Sequence, residues 1–207
     1  MGRLIEEIVE LEWEMFQCTQ NIGGRASCQD DRRTFFLMRK SQWSVMSEEL
    51  LESIYKDLQM ALAEGRNMVS EKYGFMMENY DPEGFAAILE RLPVKTEQER
   101  RLAEEIVACY IEWNEELRTI APYMMGNGRA LRSSSDSIGN VSVETYLRGE
   151  LLTFSENTLQ KYLDYVNSCR TKKGNLSLQT YEAMARAYGY RNLEEAERFL
   201  RDKKIDE

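Results

Sequence analysis

At 207 residues the chain is long enough for one large core or two closely packed halves, and three prolines among 30% charged residues favour helices over a strand-rich sandwich or a disordered chain. A net charge of -9 argues against nucleic acid and anionic membrane, which are held through Lys and Arg, and leaves small molecules or proteins as partners. Histidine is absent, which removes Ser-His-Asp and Cys-His nucleophile systems; no apolar run reaches membrane-span length and no leader precedes the first acidic helix, so the expected location is the cytoplasm.

Leu4, Ile5, Ile8, Leu11, Met15 and Phe16 recur at helical spacing and predict a first helix ending near Asn21. Glu12 falls in the middle of that apolar stripe, so its carboxyl points inward and has to be protonated, hydrogen-bonded, or paired with Arg or a metal. A polar loop follows, Gly23-Gly24-Arg25-Ala26-Ser27-Cys28-Gln29-Asp30-Asp31, in which Arg25 offers a forked donor. Asp30 and Asp31 either bind a hard cation such as Mg²⁺ or cap the next helix. No strand precedes the glycines and no Gly-Lys-Ser/Thr follows, so the loop is not a standard nucleotide cradle.

The second helix, residues 32–46, buries Phe35, Phe36, Trp43 and Met46, and Arg39 and Gln42 lie in the same stripe. Ser47 opens a third helix through Leu62, and Gly65-Arg66-Asn67 separates it from a fourth marked by Met68, Val69, Tyr73, Met76 and Met77. Asp81-Pro82-Glu83-Gly84 reads as a turn within a connector, residues 80–101, that also holds a short helix. Thr96 and Glu99 form a capping box for a long helix from Glu97 to Ile120.

A second loop, Gly126-Asn127-Gly128-Arg129-Ala130-Leu131-Arg132-Ser133-Ser134-Ser135-Asp136, then echoes the first, aligning Arg129 with Arg25. Val143, Tyr146, Leu147, Leu151 and Phe154 line a helix whose stripe also holds Glu150, with Arg148 beside it. Leu159, Tyr162, Leu163 and Val166 mark the next helix, and Leu178, Tyr181, Met184 and Ala185 the one after it. A terminal helix and tail occupy residues 189–207. The expectation is an all-α bundle of eight or more helices in one compact domain, 1–207, built from tandem, duplicated halves, 4–79 and 102–188, about a pseudo-twofold axis. Cys18, Cys28, Cys109 and Cys169 form no CxxC pair and read as free thiols.

Several of these segments together resemble the bacterial family catalogued as domain of unknown function 4125. They are Asn21-Ile22-Gly23-Gly24-Arg25-Ala26-Ser27-Cys28-Gln29-Asp30-Asp31, Met38-Arg39, Ser41-Gln42, Gly126-Asn127-Gly128-Arg129 and Thr145-Tyr146-Leu147-Arg148-Gly149-Glu150-Leu151. The resemblance covers nearly the whole chain and implies no activity by itself. Some members resemble fusions with a nucleotidyltransferase-like domain, which would imply nucleotide or antibiotic-like substrates; no such domain is expected within these 207 residues.

Two functional classes follow from the inward polar residues. In the first, a small anionic metabolite sits between the halves, held by Arg25, Arg39, Gln42, Arg129 and Arg148. Glu12 and Glu150, with raised pKa, would then serve as general acid or base or hold Mg²⁺. In the second, the same groups form a satisfied buried network inside a helical interaction or scaffold module with a protein partner.

Overall fold

The computed structural model describes residues 1–20, 24–126 and 128–205; Asn21 to Gly23 and Asn127, parts of the two polar loops, lie outside the described residues. Among the described residues there are eleven helices and no strand, with one isolated bridge between Ser137 and Asn140. No described helix is long and apolar enough to cross a membrane.

Most helices start where the sequence supplies a side-chain acceptor for an otherwise unpaired N–H. Helix α1 spans Gly2–Gln17. Asp31 caps α2 (Arg32–Trp43), accepting from Thr34 N at 3.0 Å. Ser47 caps α3 (Glu48–Ala63) and Asn67 caps α4 (Met68–Tyr80). Asp81 caps α5 (Pro82–Ile88), a helix with proline in its first turn where the turn signal is read. The expected Thr96–Glu99 box launches α6 (Glu97–Ile120), with Glu99 N donating to Thr96 Oγ1 at 3.1 Å and Thr96 N to Glu99 Oε2 at 2.8 Å. After the short α7 (Pro122–Gly126), Ser142, Ser155 and Asn175 cap α8 (Val143–Leu151), α9 (Glu156–Thr171) and α10 (Leu176–Ala187), and α11 (Leu193–Ile205) ends the described chain.

Helix α1 stops short of Asn21 because the following loop folds back on its end. There the buried Gln29 side chain donates to Phe16 O at 2.8 Å and Thr19 O at 3.0 Å, satisfying carbonyls that further helix would otherwise have paired. The second helix likewise ends at Trp43, not Met46.

Helix α1 packs on α2, α3 and α4, and α6 packs on α8, α9 and α10 in the same relation. Between the halves, α4 lies against α8, α10 against α2, and α3 against α9. Matching α1 to α4 with α6 and α8 to α10 in order carries the α4–α8 pairing onto α10–α2 and leaves α3–α9 in place. The caps repeat the pattern: Asn67 Nδ2 reaches back to Met15 O of α1 at 2.7 Å, and Asn175 Nδ2 to Trp113 O of α6 at 3.2 Å.

The core is shared. Ile8, Trp43, Leu51 and Ile54 belong to the same buried cluster as Ile106, Leu151, Leu159 and Val166. Each such side chain contributes roughly 1.5–3 kcal/mol through its removal from water. A smaller cluster of Leu117, Ala121, Met125 and Leu193 seats α11, whose Glu197 carboxylate accepts from Tyr123 N at 2.7 Å and Met124 N at 2.8 Å.

Candidate functional site

The contact of α4 with α8 is made close by Gly149: a Cβ there would stand 2.6 Å from Met76 Cγ and 2.8 Å from Lys72 O. That approach brings Lys72 of α4 and Glu150 of α8 together, while α1 and α2 supply Glu12 and Arg39 from the other side.

Arg39 is the hub. Its Nε lies 2.9 Å and its Nη2 2.5 Å from the two oxygens of Glu12, a forked arrangement that matches a planar guanidinium to a carboxylate. Its Nη1 donates to Glu150 Oε2 at 3.0 Å and to Gln42 Oε1 at 2.8 Å. Gln42 Nε2 closes the ring on Glu150 Oε1 at 2.9 Å, the Trp43 indole N–H donates to Glu12 Oε2 at 3.1 Å, and Lys72 Nζ donates to Glu150 Oε2. Two carboxylates thus balance two cations, and no buried side-chain N or O among the described residues lacks a partner.

Burial alone would raise the pKa of the Glu150 carboxyl, but Arg39 and Lys72 outweigh it and hold the group well below the usual carboxylate range. The expected raised pKa is therefore corrected for Glu150, which stays ionised at neutral pH and has no proton to give as a general acid.

The four charged groups form part of the lining of a cavity of about 470 Å³ between α1, α2, α4 and α8. Phe16, Phe35, Met68, Val69, Tyr73 and Tyr146 make most of its remaining wall apolar or aromatic. Its exposed lining residues, Cys28, Asp31, Met38 and Arg129, mark the mouth.

Arg129 stands with its guanidinium 4.9 Å from the Tyr146 ring centroid, and Lys72 Nζ lies 3.5 Å from the same centroid. Arg129 Nη1 donates to Val141 O at 3.0 Å, and the residue makes no ion pair with any described acid. Arg129 is therefore the one cation lining the cavity, among the described residues, whose charge is not balanced by a carboxylate contact. Asp31, also at the mouth, is engaged at the N-terminus of α2, where the Thr34 backbone N–H lowers its pKa.

The structure thus brings Glu12, Arg39, Gln42 and Glu150 together and puts Arg129 on the same cavity. It does not bring Arg25 or Arg148 there. Arg25 donates to Asp30 at 2.9 Å, Gln17 at 2.6 Å and Gln29 O at 2.9 Å, and so braces its own loop. Arg148 is held by Glu104 at 2.5 Å and Glu144 at 3.1 Å outside the cavity. Asp30 is paired with Arg25, Asp31 serves as a cap, and no group of three or more Cys, Asp or Glu residues suited to a metal occurs among the described residues.

The two loops are not equivalent in the way their Gly-Arg-Ala motifs suggest. Arg132, not Arg129, makes the contact that resembles that of Arg25: it reaches from its loop to Glu115 of α6 as Arg25 reaches Gln17 of α1. Arg129 is left with a different task. Sequence reasoning missed Lys72, Tyr146 and the Trp43 indole. Lys72 carried a usable signal, since it lies four residues from both Met68 and Met76 on the buried side of α4.

Residues 2–198 match the profile of a protein family described as a protein of unknown function, DUF4125. No curated protein and no solved structure gives a match.

Proposed function

The chain belongs to the DUF4125 family, and from the geometry of its cavity we propose that it binds a small molecule with an apolar or aromatic body and an anionic group. One observation carries this reading: a largely apolar space of about 470 Å³, of ordinary ligand-site size, has at its mouth a guanidinium without a carboxylate partner among the described residues. The body of the ligand rests among Phe16, Phe35, Tyr73 and Tyr146, and its anion meets Arg129. The inner charges of Glu12, Arg39, Glu150 and Lys72 already neutralise one another, so in this reading they shape the cavity instead of holding the anion.

Titration calorimetry with phenylacetate and with its neutral analogue phenylacetamide tests the reading. The acid should bind more tightly, and Arg129→Gln should weaken it by about tenfold, the worth of a hydrogen bond to a charged group. No binding of the acid to the wild type, or equal binding by wild type and R129Q, rejects it.

A second reading, a non-catalytic interaction or scaffold module, is favoured by the finding that every buried side-chain N or O among the described residues has a partner. It expects Arg129→Gln to be silent toward small anions.

A further inference from the structure

Most arginines of the described chain pair with a carboxylate, as an acidic protein makes easy. Among the described residues Arg33, Arg91, Arg118 and Arg129 make no such pair. Two of these four, Arg118 near the C-terminus of α6 and Arg129 after α7, line the same solvent-facing basin of about 430 Å³. The other described residues lining it, Pro122, Met125, Gly126, Gly128 and Ala130, carry no charge. Arg129 also lines the inner cavity, so one residue borders both spaces.

We propose that this basin is a phosphate subsite, and that the ligand is an aromatic or apolar phosphomonoester with its body in the inner cavity and its phosphate between Arg118 and Arg129. The proposal rests on the ligand reading above and narrows it. A carboxylate carries one charge in a plane and is served by one fork. A phosphomonoester at neutral pH carries nearly two charges on three oxygens and is suited to two guanidiniums at an angle to each other. Leaving two arginines without a counter-charge is electrostatically wasteful in a chain of net charge -9, where the rest of the basic surface is largely neutralised. Arg118 also complements the C-terminal end of the α6 dipole, but that role needs neither Arg129 nor a basin without acids among its described lining residues.

The experiment compares phenyl phosphate, phenylacetate and inorganic phosphate by calorimetry on the full chain, using wild type, Arg118→Gln, Arg129→Gln and, as a control, Arg33→Gln. Each variant is first checked for an unchanged melting temperature, with Arg118→Lys as the substitute if R118Q unfolds. Phenyl phosphate is expected to bind more tightly than either other probe. R118Q should weaken phenyl phosphate about tenfold while leaving phenylacetate unchanged, and R129Q should weaken both. R33Q should change neither. Equal binding of phenyl phosphate by wild type and R118Q overturns the subsite, even if phenylacetate still depends on Arg129. No binding of either phenylacetate or phenyl phosphate to the wild type overturns the ligand reading and, with it, the subsite.

Discussion

Arg39 is the side chain on which the buried charges depend, because among the described residues it alone touches both Glu12 and Glu150. Replacing it by Met strands Glu12 away from water with only the Trp43 indole N–H as a partner, so a loss of about 3–5 kcal/mol is expected in urea unfolding. Glu12→Gln together with Arg39→Met leaves the Glu150–Lys72 pair balanced and should recover part of that loss; a purely additive result would show that the two groups are not coupled. Glu150 makes the network sensitive to acid. Its folded pKa is depressed, so its ionised form adds stability above its ordinary value of 4.5, and that contribution drains away as the pH falls below 4.5. The gap in stability between wild type and Glu150→Gln should therefore be widest near neutrality and narrow in acid, as measured by denaturation at a series of pH values. Much of this cluster was legible beforehand, since a Glu or Arg inside an apolar stripe has to find a partner. What periodicity does not state is which partner. It offered Arg25, Arg129 and Arg148 on equal terms, and only the packed chain shows that two of them are already engaged by nearer acids and amides.

Among the helices, α4 and α8 set the spacing of the site. The contact between them tolerates no side chain at Gly149, where a Cβ would meet the Lys72 carbonyl, a backbone atom that cannot swing aside. Gly149→Ala should cost about 1–3 kcal/mol through overpacking, despite the better helix propensity of alanine. Gly2→Ala, where a Cβ meets nothing within 4 Å, should be close to neutral in the same denaturation experiment. If G149A proves as harmless as G2A, α8 is free to shift and the Lys72–Glu150 contact is not fixed by this approach. Helix α4 is also where the sequence was hardest to read. It is covered by α1, α5 and α8, so Glu71, Lys72 and Gly74 are buried along with Met68, Phe75 and Met76, and no single apolar face stands out.

At the scale of the molecule, the order of the main helices could be read from their apolar stripes and from Ser47 and Thr96, which announce starts; Asn67, Ser155 and Asn175 prove to cap helices as well. The packing of α4 on α8 and α10 on α2 could not, because an amphipathic pattern identifies the face to be covered but not the helix that covers it. That exchange has a consequence for synthesis, which runs from the N-terminus. When α1 to α4 have left the ribosome, the side of α4 that α8 will cover and the side of α2 that α10 will cover are still bare, and they remain so while α6 is being made. Nascent chains stalled before Ser142 emerges should be cut by protease within α4, whereas released full-length chains should resist; early protection of α4 would mean that the first half closes on itself. The apolar walls of the future cavity are thus open to chaperones, and to other nascent chains, throughout the synthesis of α5, α6 and α7.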